Sequence, residues 1–184
     1  AMSQENAGMI SMHALAGMSI PKTLRFQGQI NTQNFSILVD TGSTHNFIQP
    51  RIVKHLNLTI LHTASLNVMI GDGSKLICEG QCLDVPLVIQ GIHFCIPFYI
   101  LPIEGAEIVL GVQWLKQLGP VTIDYNALTL SFDNMGQRVS LFGENVIPYE
   151  LTAHQLRRMF NTNVVSYCFS LVAQKSESAT QSTN

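Results

Sequence analysis

The chain has 184 residues, 46% of them hydrophobic and only 12% charged, with ten Lys plus Arg against twelve Asp plus Glu and a formal net charge of −2. That length allows one domain with a proper core and tails rather than two comfortable domains. The charged share is about half the usual one, which suggests deep burial or a face that meets a partner such as a second copy, and without a basic run to neutralise phosphates nucleic-acid binding has no support.

Four cysteines, Cys78, Cys82, Cys95 and Cys168, form no CxxC pair, and the charged and apolar regions of a secretory signal are missing. Reduced thiols in an intracellular setting are therefore expected. No uninterrupted apolar run approaches the about 18 residues of a membrane span, so a soluble protein with no membrane partner is expected. Six histidines show no HExxH or other ligand spacing, which argues against a zinc hydrolase and for no metal or other cofactor.

In chain order, residues 9–15 read as a short strand, one that needs a partner. Leu24, Phe26 and Ile30 share one parity with Gly28, while Thr23, Arg25, Gln27 and Gln29 take the other, the alternation of a half-buried strand. A turn over residues 31–34 sends residues 35–39 back as its hairpin partner. The apolar run Ile37, Leu38, Val39 then ends abruptly in Asp40, Thr41, Gly42 and Ser43. This places a carboxylate at the edge of a core, beside a glycine that permits close backbone approach.

Pro50 suits a first helical turn, and Ile52, Val53 and Leu56 fall on one face, predicting a helix over 50–56. His45, followed by Asn46 and Phe47, reads as structural. Two β-prone arms then flank Gly71, Asp72, Gly73 and Ser74, where Asp-Gly between alternating apolar residues predicts a hairpin with a mobile, lid-like tip. Residues 87–103 read as two strands broken near Gly91. Residues 107–118 start as a strand, pass Gly111 and become a short helix that ends at Gly119 and Pro120; Trp114 is assigned to packing. The strand, turn and helix around ILVDTG thus return in weaker form around IVLGV, the second time without an aspartate.

Residues 121–132 close as a hairpin around Tyr125 and Asn126, and residues 139–143 add a strand. Thr152 and Gln155 stand at capping-box spacing ahead of Leu156, Met159 and Phe160, predicting a helix over 152–160. Residues 164–172 read as a further strand. The polar stretch from Lys175 is expected to be disordered.

One DTG after an apolar strand, a glycine-tipped hairpin about thirty residues later and a hydrophobic pair before Gly111 and a short helix together resemble a retropepsin. The phrases HNFI after the motif and LGVQWL near the end are similar to the protease of plant Ty3/gypsy-type long-terminal-repeat retrotransposons. The resemblance implies an all-β fold with short helices, a retropepsin-like acid protease barrel active as a symmetric homodimer. It divides the chain into an N-terminal extension 1–19, a protease core 20–135, a C-terminal extension or linker toward reverse transcriptase 136–174, and a tail 175–184. Residues 9–15 and 164–172 are candidates for interface strands, beside the linker reading for the C-terminal part.

Carried over by the resemblance, Asp40 is the catalytic residue of each subunit, and Thr41, Gly42 and Ser43 support its loop. Met69, Ile70, Gly71, Asp72, Gly73 and Ser74 form the flap, and Val109 and Leu110 line substrate pockets. The implied activity is an aspartic endopeptidase that processes a Gag-Pol polyprotein in the cytoplasm or in virus-like particles. The alternative is a catalytically inactive dimerisation or peptide-binding module of the same fold. Peptide hydrolysis without a metal or a nucleophile needs one carboxylate to deprotonate water and one carboxylic acid to polarise the carbonyl. A single Asp40 cannot do both, and Asp72, Gly73, Ser74 has the wrong order, so the second acid is expected from a two-fold axis. A Ser43 hydroxyl donating to the carboxylate is expected to go with an acidic activity optimum that moves upward in Ser43→Ala. The Thr41 hydroxyl is expected to bond across the axis to the other subunit's loop.

Overall fold

A computed structural model describes residues 7–11, 14–15, 23–62, 66–70, 73–78 and 80–144. Twelve strands and two short helices lie among them: β1 (Ala7–Ile10), β2 (Leu24–Ile30), β3 (Gln33–Val39), β4 (Phe47–Ile48), α1 (Pro50–His55), β5 (Asn67–Ile70), β6 (Lys75–Ile77), β7 (Gln81–Ile89), β8 (Ile92–Ile100), β9 (Ile108–Leu110), α2 (Val112–Leu118), β10 (Val121–Asp124), β11 (Thr129–Asn134) and β12 (Gln137–Phe142). The expected helix over 152–160, the strand over 164–172, the tail, and Gly71 and Asp72 lie outside the described residues. No helix among the described residues is long and apolar enough to cross a membrane.

Six strands close into a barrel in the order β2-β3-β9-β4-β8-β7. Its first hairpin follows the alternation: Leu24 pairs with Val39 at one end and Ile30 with Gln33 at the other. The turn needs only Asn31 and Thr32, both at positive φ, as a two-residue turn that matches strand twist requires. Gln90 and Gly91, at φ 48° and 83°, make the same kind of turn between β7 and β8. The parity rule fails at Arg25, which is buried and donates through Nη1 to the Gly105 carbonyl at 2.8 Å. Burial lowers its pKa, against the smaller opposing effect of Glu144.

The barrel is filled by one apolar cluster that includes Phe26, Ile37, Leu87, Phe98, Leu110 and Trp114. The Trp114 ring meets Phe94 edge-on, with centroids 5.6 Å apart. Against the barrel lie two three-stranded sheets, β1-β5-β6 and β10-β11-β12. In the first, β1 runs parallel to β5, Ala7 opposite Asn67 through Ile10 opposite Ile70. Strict alternation gives that sheet a buried face with Ile10, Val68 and Ile70 and an exposed one with Met9 and Met69. The buried face shares a second apolar cluster with Leu38, Phe47 and Val109.

The decisive topological feature is β9. It pairs in parallel with β3, Val39 opposite Leu110, and antiparallel with β4, Phe47 opposite Val109. The chain leaving β3 therefore cannot pair directly with β4. It must cross the end of β9 over residues 40–46, spanning two strand spacings of about 5 Å each, and these residues are the loop that carries Asp40.

Candidate active site

Asp40 sits at the end of β3, where its backbone N–H donates to the Leu110 carbonyl at 3.0 Å and continues the β3–β9 ladder by one rung. The carboxylate is half-buried. Oδ1 accepts the Gly42 N–H at 3.0 Å, and Oδ2 accepts the Ser43 hydroxyl at 2.7 Å. The Ser43 N–H closes the turn on the Asp40 carbonyl at 3.2 Å. Loop atoms thus hold both oxygens, as orientation of a working carboxylate requires.

The loop is fastened from below by the start of α2. The Val112 N–H donates to the Ser43 carbonyl at 2.8 Å and the Gln113 N–H to the Thr44 carbonyl at 3.0 Å. Two of the N–H groups that a helix start leaves unpaired are satisfied this way. So close an approach requires Gly111: a Cβ there would lie 2.3 Å from the His45 carbonyl oxygen and 2.5 Å from that of Ser43. Asn46, fully buried, accepts the Gly111 N–H on Oδ1 at 3.0 Å and donates through Nδ2 to the Pro97 carbonyl at 3.3 Å.

The expected site residues fall into three places. Asp40, Thr41, Gly42 and Ser43 form the loop, with Ser43 buried and Thr41 and Gly42 exposed at its tip. Met69, Ile70, Gly73 and Ser74 belong to the β5–β6 hairpin, closed by Gly73 N–H to the Ile70 carbonyl at 2.8 Å and Ile70 N–H to the Ser74 carbonyl at 2.9 Å. Gly73 has φ +84°, the left-handed region that glycine enters at no steric cost. Val109 and Leu110 face opposite ways: Val109 joins the cluster under the hairpin sheet, whereas Leu110 points into the barrel core.

Three residues not assigned from the sequence also hold the loop in place, Thr44 and Asn46 from within it and Ser11 from outside. Asn46 left a faint signal, a polar residue just before a buried apolar pair, and such a group must find partners. Thr44 and Ser11 left none, because their contacts join segments far apart in the chain. The Thr44 N–H donates to the Met9 carbonyl at 2.9 Å, and the Met9 N–H donates to Thr44 Oγ1 at 2.7 Å. The Ser11 N–H donates to Ser43 Oγ at 3.2 Å, and the Ser11 hydroxyl donates to Asp40 Oδ2. Beside them His45 Nδ1 lies 2.8 Å from Thr44 Oγ1, and burial lowers the imidazole's pKa.

Residues 19–135 match the family model described as retroviral aspartyl protease. This chain belongs to the retroviral aspartyl protease family. A solved structure of the retroviral protease-like domain of Ddi1 from Leishmania major is similar in fold to this retropepsin-like chain, with a TM-score of 0.53 and 19% sequence identity, covering 68% of this chain and 98% of that one. A search of curated protein sequences returns no match. The retropepsin-like fold is mostly β with few, short helices, as the sequence led us to expect. The stretch matched by the family opens just ahead of β2 and closes at the turn before β12, so β1 lies outside it.

Proposed function

We propose that this chain is an aspartic endopeptidase, active as a symmetric homodimer in which two copies of Asp40 form the catalytic pair. The observation that carries the reading is a single oriented carboxylate at the mouth of the β3–β4 loop, held by Gly42 and Ser43. Among the described residues, the groups bonded to that carboxylate come from Gly42, Ser43 and Ser11, and none of them is a second acid. A two-fold axis beside the exposed Thr41 and Gly42 supplies one.

Two carboxylates about 3 Å apart cannot both ionise, a behaviour for which aspartic proteases are the standard case. The ionised Asp40 takes a proton from water while the protonated one donates to the substrate carbonyl oxygen, and the water oxygen attacks the carbonyl carbon. In the second half the proton taken from water goes to the amide nitrogen as the C–N bond breaks, and the new carboxyl returns the other proton. The β5–β6 hairpin covers the substrate, and Val109 with its neighbours receives an apolar side chain.

The phrases HNFI at 45–48 and LGVQWL at 110–115 support a Ty3/gypsy-type, plant-like source and a Gag-Pol polyprotein as substrate, processed in the cytoplasm or in virus-like particles. An Asp40→Asn protein that folds like the wild type and cleaves no peptide of a mixed library upholds the reading. Equal cleavage by both proteins removes it, and a folded wild type that dimerises and cleaves nothing leaves the non-catalytic peptide-binding module.

A further inference from the structure

β1 runs between the β5–β6 hairpin and the loop that carries Asp40. One of its edges pairs with β5 of the covering hairpin over four residues, and the other bonds to the active-site loop through Met9 and Thr44. An extended peptide held by main-chain bonds on both sides, with alternate side chains set into pockets, is how a sheet edge recognises a peptide. Ile10 supplies the buried side chain, in the same apolar cluster as Val109, Leu38 and Val68. One residue on, Ser11 places its hydroxyl on Asp40 Oδ2, and its Cβ lies 3.1 Å from where a Cβ on Gly42 would be. The peptide then turns away, with the Ala14 N–H on Ser11 Oγ at 3.3 Å and the Glu104 N–H on the Leu15 carbonyl at 2.9 Å.

We propose that residues 7–11 are a tethered occupant of this chain's own peptide cleft, a built-in competitive inhibitor that holds the chain latent until substrate or a second copy displaces it. The inference rests on Asp40 being the catalytic carboxylate. Ser11 occupies the side of Oδ2 that a reacting water or the partner's carboxylate needs, and two groups cannot share that volume. A competitor on the same chain acts at an effective concentration of about millimolar, so it excludes weak substrates and yields to strong ones.

The test uses the full chain with Ile10→Glu, which cannot keep its side chain in the apolar cluster, and Ser11→Ala, which removes only the hydroxyl on the carboxylate. A synthetic peptide with the sequence of residues 7–15 serves as probe. Amide exchange of Met9 and Thr44, library cleavage kinetics and probe binding are the readouts. Losing a buried isoleucine from the bound state is worth a factor of about ten or more. Ile10→Glu is therefore expected to expose both amides, lower KM by about tenfold or more, and bind the probe, while the wild type binds it at least about tenfold more weakly.

An unchanged KM with an equal probe affinity overturns the inference, as does a Met9 amide that exchanges freely in the wild type. If no protein cleaves any peptide, the catalytic reading fails separately, and probe binding to Ile10→Glu but not to wild type still upholds the tethered occupant. Should Ile10→Glu fail to fold, Ser11→Ala decides by the same three readouts, with a lower KM upholding the inference and an unchanged one overturning it.

Discussion

Gly111→Ala isolates the fastening of the loop that carries Asp40. Gly111 has φ −94° and ψ −165°, a backbone conformation any residue adopts, so the cost of a side chain there is contact and not conformation. The new Cβ would stand 2.3 Å from the His45 oxygen. Ordinary van der Waals contact begins at 3.4 Å, so the loop must retreat by about 1 Å. That retreat stretches the bonds from Val112 and Gln113 to the Ser43 and Thr44 carbonyls, now 2.8 and 3.0 Å. Overpacking costs about 1–3 kcal/mol and each of the two weakened bonds about 0.5–1.5 kcal/mol, so stability should fall by about 2–6 kcal/mol. A displacement of about 1 Å at Asp40 should lower kcat/KM by about 100-fold.

Urea unfolding reads the first effect as a lower midpoint at constant slope, and peptide cleavage reads the second. Gly91→Ala is the control. It has φ +83° with nothing within 4 Å, so it meets only the left-handed backbone cost of about 1–2 kcal/mol. Its turn lies at the barrel end where Ile89 faces Gly28, far from Asp40, and kcat/KM should not change. A Gly111→Ala protein within about 0.5 kcal/mol of wild type with unchanged cleavage would refute the account of the loop.

Two titratable side chains, the half-buried His45 and the buried Cys78, give further tests. Burial pushes the His45 imidazole below its ordinary value of 6.5, so below that pH the unfolded chain binds a proton that the folded one resists. Stability is then fully present above pH 6.5 and declines as pH falls below it. His45→Gln should flatten that decline in urea melts across the same window, and an identical decline in both proteins would contradict the assignment. Burial pushes the Cys78 thiol up to about 12, which suppresses its thiolate at neutral pH. Iodoacetamide should modify the exposed Cys95 in the folded protein and reach Cys78 only on unfolding, as peptide mapping reports; equal labelling would refute it.

Local pattern carried much of the architecture. The alternation of Leu24, Phe26 and Ile30, the apolar run into Asp40 and the β-prone arms around residues 71–74 each state a strand within a few residues, and β2, β3 and the paired β5 and β6 lie where expected. The residues that complete the loop are set by neighbours remote in sequence. Parallel pairing of β9 with β3 decides that Val109 faces the hairpin sheet and Leu110 the barrel, and it makes Gly111 a point of close approach. Arg25 sits on the polar parity of β2 yet is buried because the Gly105 carbonyl receives its guanidinium. Residues 9–15 read as one strand, but the strand ends at Ile10, where its partner β5 also ends at Ile70, and Ser11 turns its hydroxyl to a carboxylate 29 residues away. Nothing adjacent to Ser11 announces that contact.

We propose that Asp40 works as half of a pair shared by two chains. Asp40→Asn protein mixed into wild type at fixed total concentration, under dimerising conditions, tests it most directly. If both carboxylates of one dimer are required, cleavage falls as the square of the wild-type fraction, to about a quarter in an equal mixture. A fall in direct proportion, to about half, would mean that each chain works alone and would contradict the account.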